Sequence, residues 1–177
     1  MTGYADDTML VVRSRQYKDL KRKGNNALAA LDGWARTNNL KFAAEKSDVV
    51  FFGKRPQQRG PSFRLGGGWI RCRDSIKYLG IHIHNRLNFK EHIQRVTFKT
   101  RYVTNRIAAA AKLTWGIRAP ALVTILEGAI QPAMMYGAEI WSEKCGVREN
   151  RKLLSAQRTL VVKAAHEPIE RCLPRRP

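Results

Sequence analysis

Two adjacent aspartates, Asp6 and Asp7, stand near the start of the chain in the sequence Tyr4-Ala5-Asp6-Asp7, shortly before an apolar run. Two carboxylates about 4 Å apart repel each other by roughly 1 kcal/mol in water, and by more in a drier site. A divalent cation removes this repulsion, and Mg²⁺ prefers such hard oxygen ligands. A solvated turn, in which aspartate is common, is the ordinary alternative. The pair is therefore a candidate metal site for phosphoryl or nucleotidyl transfer.

The other residues that could do chemistry form weaker patterns. His82 and His84 share one face of a predicted strand, but no third ligand accompanies them, so neutral strand histidines are the better interpretation. Gly66–Gly68 is not followed by Gly-Lys-Ser/Thr, which favours a hairpin turn over a phosphate loop. Cys72 lies between two arginines but lacks an identifiable base. The three cysteines are widely spaced, which indicates free thiols in a reducing compartment.

The elements that must position these residues differ between the two halves of the chain. In the first half, Thr8–Val12 is predicted as a buried strand, and Tyr17–Asn38 as a helix because its apolar residues recur at helical spacing. A strand at Val49–Phe52, a hairpin around Gly66–Gly68 and a strand at Ile76–His84 follow. The apolar face of the helix is predicted to contain Leu20, Leu28, Leu31, Trp34 and Ala35.

Only helices are predicted in the second half. Asn88, with Glu91 as its capping-box partner, is expected to begin a long helix over Phe89 to about Trp115. A second helix is predicted from Pro120 to Ile130 and a final one from Val147 to His166. The buried residues of the long helix are expected to be Ile93, Val96, Val103, Ile107 and Ala111, and those of the final helix Leu153, Leu154, Gln157, Leu160 and Val161.

The chain is therefore predicted to be α+β, with antiparallel strands and one helix followed by helices alone. The expected parts are residues 1–86, residues 87–167, and a flexible basic tail over residues 168–177, which holds three prolines and three arginines.

The charge balance points to a polyanionic partner. The chain carries 33 Lys and Arg against 14 Asp and Glu, a formal net charge of +19. Nucleic acid is the leading candidate, and an anionic membrane surface is the alternative. No apolar run has the length of a membrane-spanning helix, and no signal peptide is visible. Between residues 86 and 118 a single acid accompanies many basic residues, which favours a phosphate-binding track. These are Arg86, Lys90, Arg95, Lys99, Arg101, Arg106, Lys112 and Arg118.

Several segments together resemble one protein family. Tyr4–Asp7 followed by an apolar strand resembles motif C, the metal-binding hairpin of reverse transcriptases. Leu40–Ser47 resembles motif D, and Lys77–Ile93, with its Tyr-Leu-Gly and His-Ile sequences, is similar to the motif E region of non-LTR retrotransposons. Gln157-Arg158 is similar to a Gln-Arg pair that recurs downstream in those elements. The segments follow the order of the family and cover nearly the whole chain.

The resemblance implies an RNA-directed DNA polymerase that uses two Mg²⁺ ions, with Mn²⁺ as a substitute. Asp6 would be the principal metal ligand and Asp7 the auxiliary one. Lys46 would correspond to the motif D lysine, which is proposed to protonate the leaving group. The substrates would be a dNTP and an RNA template–DNA primer duplex, and the resemblance implies an intracellular, nuclear protein.

The resemblance also assigns a palm to residues 1–86 and a helical thumb to the following part. Tyr78, Leu79 and Gly80 would form the primer grip, and the thumb would lie along the minor groove of the duplex. Tyr102 and Trp115 would then be near the sugars, unless they belong to the core. The residues expected to bind nucleic acid are Arg95, Lys99, Arg101, Arg106 and Lys112.

The motif A aspartate, motif B and the fingers have no counterpart in these 177 residues, so a fragment that is inactive alone is expected. A missing upstream segment would be its partner, and the apolar back of the motif C hairpin would be exposed without it. A non-catalytic module that binds duplex nucleic acid is the main alternative. A piece of a group II intron maturase is another, because those proteins also carry the Tyr-Ala-Asp-Asp sequence.

Overall fold

The structure is a computed structural model that describes residues 1–53, 60–111 and 117–165. It divides into two compact units, here called the N-terminal and the C-terminal unit. The N-terminal unit comprises Met1–Ile76 and His84–Arg86, and the C-terminal unit comprises Lys77–Ile83 and the chain from Leu87 onward. The mixture of helices and small sheets agrees with the α+β prediction. The assignment of palm and thumb stays a prediction, and the predicted tail lies outside the described residues.

The N-terminal unit begins with a short antiparallel hairpin formed by β1 (Thr2–Tyr4) and β2 (Asp7–Met9). The prediction of a buried strand over Thr8–Val12 is wrong in both respects. The strand ends at Met9, and Val11 is exposed. In the part of the chain that the structure describes, β2 pairs only with the three-residue β1, so the extended backbone after Met9 has no strand that continues the ladder.

Helix α1 spans Tyr17–Thr37, and its predicted existence and bounds are confirmed. It ends at Asn38, whose side-chain amide donates to the Trp34 carbonyl oxygen (2.9 Å), and Asn39 follows with a positive φ of 54°. Ala35 is fully buried. Trp34 was expected on the buried face, but it is 55% exposed. Trp34 lies at the edge of the apolar stripe, where none of the described elements packs over its side chain.

A 3₁₀ turn over Ala44–Lys46 leads to β3 (Val49–Val50), which is shorter than the predicted strand. The predicted glycine hairpin is confirmed, with β4 (Phe63–Leu65) and β5 (Gly68–Ile70) in antiparallel register. The two turn residues, Gly66 and Gly67, have φ values of 54° and 85°. Positive φ at both central positions is the signature of a type I′ turn, which glycine adopts without steric cost.

The segment from Ile76 to His84 is a hairpin, and the prediction of one continuous strand is wrong. After β6 (Cys72–Arg73), which pairs in parallel with β3, the chain forms β7 (Ser75–Tyr78) and β8 (Ile81–His84). Two strands joined by two residues can pair only as an antiparallel hairpin. The turn residues Leu79 and Gly80 both have positive φ, 45° and 83°. Leucine rarely adopts a positive φ, so the sequence did not indicate a turn at Leu79.

The helices of the C-terminal unit follow the predicted order. Helix α2 spans Lys90–Ala110, and Phe89 rather than Asn88 takes the cap position, a shift of one residue. Residues 112–116, where the helix was expected to continue, lie outside the described ranges. Three short helices follow, and then α6. Their bounds are α3 (Ala119–Ile125), a π-helical turn (Leu126–Ile130), α4 (Gln131–Met134), α5 (Ala138–Trp141) and α6 (Val147–Ala165).

Two apolar clusters form the core of the C-terminal unit. One surrounds Trp141, whose indole N–H donates to the Tyr136 carbonyl oxygen (3.0 Å), and the other surrounds Leu160. Helices α2 and α6 meet where the Thr104 hydroxyl donates to the Ala156 carbonyl oxygen (2.9 Å). The predicted inward positions Leu153 and Leu160 are buried, as expected, whereas Leu154 and Val161 are exposed because the contact face of α6 runs through Leu153, Ala156 and Leu160.

No helix in the described ranges is both long and apolar enough to cross a lipid bilayer.

Candidate functional site

The aspartate pair lies at the tip of the first hairpin. Tyr4 pairs with Asp7, which leaves Ala5 and Asp6 as the two central turn residues. Ala5 has a φ of 51°, whereas Asp6 does not have a positive φ. Positive φ at the first central position alone is the pattern of a type II′ turn, whose twist matches that of the flanking strands. A non-glycine residue in this conformation costs roughly 1–2 kcal/mol, which the strand pairing on both sides must offset.

Both carboxylates are exposed on this turn, as is the whole of residues 1–8. Their oxygens are hard donors of the kind that Mg²⁺ takes, so the pair fits part of a magnesium coordination sphere. The part of the chain that the structure describes contains no group of three or more His, Cys, Asp or Glu side chains that could hold a metal ion. Asp6 and Asp7 are therefore two donors that need a further contribution to form a strong site.

Lys46, the third predicted catalytic residue, ends the 3₁₀ turn over Ala44–Lys46 and is exposed. The Ser47 hydroxyl donates to the Ala43 carbonyl oxygen (2.7 Å), which fixes this turn. Within the described residues, no ion pair joins Lys46 to Asp6 or Asp7. The structure thus keeps the aspartates together on one turn and places the lysine on a separate turn of the same unit.

An apolar cavity of about 440 Å³ lies in the N-terminal unit between these two segments. Thr8, next to Asp7, borders it, and so does Ser47, next to Lys46. The remaining wall is largely apolar and includes Leu10, Val11, Leu28, Val50 and Phe52. Val11 and Phe52 in this wall are 73% and 52% exposed, and the expectation that a further segment covers them stays a prediction.

The three residues predicted to grip a primer occupy the tip of the β7–β8 hairpin, and this tip belongs to the C-terminal unit. Gly80 is required there for two reasons. Its φ is 83°, and a Cβ at this position would lie 3.2 Å from the Tyr136 ring. The backbone of Tyr78, Leu79 and Gly80 therefore turns tightly, with Tyr136 beneath it.

The exposed face of α2 carries a narrow cationic and aromatic stripe. Its members are spaced by four, three and four residues, which places them on one side of a helix over about 16 Å. Phe98, which the sequence analysis missed, borders this stripe and is 76% exposed, and Tyr102 is 56% exposed. The sequence could have identified Phe98, because it is an aromatic residue that does not fall on the predicted apolar face of this helix. The name α2 stripe is used here for Arg95, Lys99, Tyr102 and Arg106 together with the bordering Phe98.

The predicted nucleic-acid-binding residues differ in their surroundings. Arg95 makes an ion pair with Glu91 (2.9 Å), and Arg106 donates to the Tyr102 hydroxyl (3.2 Å) while lying 5.7 Å from its ring centre. Lys99 has no carboxylate partner among the described residues. Arg101 points away from the α2 stripe and donates to the Ser155 hydroxyl of α6 (3.1 Å). Lys112 and Trp115 lie outside the described residues.

His92 and His82 lie together beside the α2 stripe. His92 is 3% exposed, its ring is tilted against Trp141, and its Nε2 has no partner in the described part of the chain. Burial, and secondarily His82, lower the pKa of His92. Burial also lowers the pKa of His82, with Arg95 acting in the same direction and Glu91 against it. The lowered pKa values favour the neutral form of both histidines. The neutral form was expected for His82, whereas His92 was not singled out in the sequence.

Cys72 and Cys145, the cysteines among the described residues, show no sign of activation. Burial raises the pKa of the Cys72 thiol and of the Cys145 thiol, with a smaller contribution in the same direction from Asp74 and Glu149, respectively. A raised pKa disfavours the nucleophilic thiolate. This agrees with the interpretation of both residues as ordinary free thiols.

Comparison with known proteins identifies the relatives of this chain. It is 26% identical over 163 residues to a putative 115 kDa protein in the type-1 retrotransposable element R1DM of Drosophila melanogaster. It is 25% identical over 142 residues to the Pol polyprotein of a type-1 retrotransposable element R1 of Bradysia coprophila. It is 30% identical over 142 residues to the RNA-directed DNA polymerase from the mobile element jockey of Drosophila melanogaster. The chain is a homologue of non-LTR retrotransposon polymerase proteins.

These alignments cover 92%, 80% and 78% of this chain, but only 16%, 14% and 15% of the respective retrotransposon proteins. The chain thus spans about one-sixth of the length of these relatives. No family model and no solved structure matches it. Because these relatives are retrotransposon proteins, the comparison favours a retrotransposon over a group II intron maturase.

Proposed function

We propose that this chain is the part of a reverse transcriptase that carries the metal-binding hairpin, the primer grip and the first duplex-binding helix. The observation that carries the proposal is the aspartate pair at the tip of a hairpin, with Asp6 in the two-residue turn and Asp7 at the start of β2, in a chain homologous to retrotransposon polymerases. The intact enzyme would copy an RNA template into DNA with dNTPs as substrates, in the nucleus of the host cell.

In this proposal Asp6 is the principal Mg²⁺ ligand and Asp7 the auxiliary one. Bound Mg²⁺ would supply activation of the primer 3′-hydroxyl and neutralise charge on the leaving pyrophosphate. The turn at Ala5 sets the backbone position of Asp6 relative to both strands. Lys46 is proposed to carry the proton that the leaving group takes up, and its exposed ammonium group is accessible for that role.

The primer would be held by the hairpin tip at Tyr78–Gly80. A backbone can approach a sugar-phosphate chain closely only where no side chain intervenes, and Gly80 provides such a position. Tyr136 packs under the same turn and supports its shape. The grip would therefore act through the backbone of the turn rather than through a side chain.

The α2 stripe is proposed to bind the template–primer duplex. Arg95, Lys99 and Arg106 would contact phosphates, while Phe98 and Tyr102 would contact sugars in the shallow groove. Both aromatic side chains are exposed, because no described element packs on them. Two neighbouring exposed aromatic rings are unusual on a helix face that only meets solvent, and they favour a binding role. Recognition would depend on shape and charge rather than on base sequence.

The catalytic assignment can be tested in a chimera in which these 177 residues replace the matching segment of a homologous polymerase. Primer extension is expected, and Asp6→Asn should reduce it to background because a metal ligand is lost. Asp19→Asn is the matched control, since Asp19 is an acid of the same unit that only pairs with Arg22 (3.1 Å). Full activity of the Asp6→Asn chimera would contradict the assignment.

The 177-residue chain alone is proposed not to extend a primer, because the described residues provide the aspartate pair without a third metal ligand. Magnesium-dependent incorporation of dNTPs by this chain would overturn that statement.

The duplex assignment can be tested on the 177-residue chain with an RNA–DNA hybrid. Changing Arg95, Lys99 and Arg106 together to Gln should reduce the slope of log K against log salt by about 3, one unit for each lost phosphate contact. The matched control changes three exposed basic residues of α6 to Gln, namely Arg148, Arg151 and Lys152. An equal effect of the two triple variants would exclude a specific track on α2.

A non-catalytic duplex-binding module is the second candidate function, favoured by the lack of a third metal ligand among the described residues. The two candidates differ in the effect of Asp6→Ala. An unchanged affinity for the hybrid in Mg²⁺ supports the module, whereas a loss that appears only in the presence of Mg²⁺ supports the polymerase fragment.

A further inference from the structure

A cationic groove lies in the N-terminal unit, between α1 and the β4–β5 hairpin. Its volume is about 510 Å³, within the usual size range of small-ligand sites. Three basic side chains, two asparagines and one tryptophan contribute to its wall, and the Gly66-Gly67 turn closes one end. These wall residues are Lys21, Arg36, Arg64, Asn25, Asn26 and Trp69.

The register of the hairpin places an arginine beside the tryptophan. Arg64 and Trp69 are direct partners across β4 and β5, so their side chains share one face of the hairpin. The neighbouring pair, Phe63 and Ile70, is buried on the opposite face. Trp69 is 64% exposed, so its ring remains available to a ligand.

The hairpin is fixed to the helix at this groove. The backbone N–H of Arg64 donates to the Asn25 side-chain oxygen (3.2 Å). On α1, Lys21, Asn25 and Asp32 recur at helical spacing and therefore face the hairpin together. The positions of the basic groups relative to the tryptophan are thus set by two paired elements rather than by a loop.

The charges of the groove suit an anion. Lys21 and Arg64 have no carboxylate partner within the described ranges. The one acid of the wall, Asp32, is largely covered and is paired with Arg36 at 2.6 Å. An incoming phosphate therefore meets two unpaired cations and a carboxylate whose charge is already compensated.

We propose that this groove binds single-stranded nucleic acid, RNA or DNA. A base would stack on Trp69, phosphates would lie against Lys21 and Arg64, and the exposed Asn26 amide would reach a base edge. A stacking surface needs an unpaired base, because in a duplex both base faces are already covered. The site is separate in chemistry from the duplex track on α2, so this proposal goes beyond the proposed function.

The stacking part of the proposal is tested with fluorescein-labelled dT₁₂ and U₁₂ and the 177-residue chain, by anisotropy at 200 mM salt to suppress non-specific binding. Trp69→Ala should weaken binding about tenfold, and Trp69→Phe by about threefold or less, because a ring remains. Trp34→Ala is the matched control, since Trp34 is 55% exposed on the same unit but does not line the groove.

The charge part uses Lys21→Gln with Arg64→Gln, compared with Lys18→Gln and Lys23→Gln on exposed positions of α1 outside the groove. The groove variant should reduce the salt slope for U₁₂ by about 1.4, and the control by less.

Photo-crosslinking with 5-bromouracil, mapped by mass spectrometry, should mark Trp69 and not Trp34. Circular dichroism melting verifies that each variant is folded.

Three results would overturn the proposal. They are an unchanged affinity of Trp69→Ala with a normal melting curve, a crosslink that avoids Trp69, and displacement of U₁₂ by a polyglutamate peptide at equal charge concentration. The last result would indicate an acidic protein partner instead. Binding of the RNA–DNA hybrid by Trp69→Ala should stay unchanged, so failure here leaves the duplex proposal untouched.

Discussion

The two units of this protein differ in how completely their apolar residues are buried. In the N-terminal unit the buried apolar side chains are Ala35, Pro61, Phe63, Leu65 and Ile70, and an apolar cavity of about 440 Å³ lies beside them. All other buried apolar side chains in the described ranges belong to the C-terminal unit, where all of them except Ala156 form two clusters around Trp141 and Leu160.

This difference separates the proposed chemistry from the proposed binding. The aspartates and Lys46 lie on short strands and turns of the less completely packed unit, whereas the α2 stripe lies on a helix that packs along its opposite face. Well-packed elements open rarely, and elements with few buried contacts open more often. A duplex-binding surface can therefore persist in conditions that disturb the candidate catalytic turn.

The largest expected effect is the loss of the Trp141 side chain. Trp141→Ala should reduce the free energy of unfolding by about 3–5 kcal/mol, because it empties a filled core and removes the hydrogen bond to Tyr136. Leu28→Ala, beside the existing cavity, should cost less than about 2 kcal/mol. Urea denaturation with hydrogen exchange resolved by unit measures both, and equal costs would contradict the difference in packing.

A smaller effect is expected at two glycines, one in each unit. Gly137 has a φ of 65°, and a Cβ there would lie 2.5 Å from Ile81 Cδ1, so Gly137→Ala should destabilise the C-terminal unit by about 1–3 kcal/mol. Gly33 lies within α1 with no atom near its would-be Cβ. Gly33→Ala should therefore stabilise by about 0.5–1 kcal/mol. Thermal melting of both variants tests the opposite signs, and a destabilising Gly33→Ala would refute this account of α1.

The dependence on pH should be the smallest of these effects and should belong to the C-terminal unit. Burial lowers the pKa of His92 in the folded state, whereas the unfolded chain takes up a proton near pH 6.5. The contribution of His92 to the free energy of unfolding is therefore complete above about pH 6.5, and it is lost as the pH falls toward the lowered pKa of the folded state. His82 acts in the same direction.

Urea denaturation between pH 8 and pH 5 measures this dependence. His92→Phe should flatten the profile, and His84→Gln, which changes a histidine outside the core clusters, should keep its steepness. A steep profile in His92→Phe would assign the effect to other groups.

Local signals in the sequence were sufficient for much of the fold. The spacing of apolar residues predicted α1, and the consecutive glycines around Gly66-Gly67 predicted a hairpin, whose two turn residues have the positive φ that glycine adopts easily. The turn at Leu79-Gly80 was missed because leucine seldom takes a positive φ. Periodicity also identified an apolar face on α6 without showing that Leu154 and Val161 would lie at its uncovered edge.

The candidate site divides in the same way. The motif placed Asp6 and Asp7 on a hairpin turn, because the two strands and the turn are contiguous in the chain. The sequence could not show the surroundings of Lys46, which depend on how distant segments pack. Phe98 and Trp69 were missed because aromatic residues are usually assigned to the core, and only their exposure in the folded chain distinguishes them.

The π-helical turn over Leu126–Ile130 has a consequence for the ridge of large side chains on this helix. Leu122, Leu126, Ile130 and Met134 follow one another at intervals of four residues, and all four are buried. In an uninterrupted α-helix such a ridge would rotate by about 40° at each interval and would leave the core by its last member. The wider turn takes up about one extra residue, about 100° of winding, and so cancels most of the drift of about 120° between Leu122 and Met134. Deleting Gly128 would restore the ordinary winding with one residue fewer, so Met134 would still lie within about 20° of the direction of Leu122 and should stay in the cluster around Trp141.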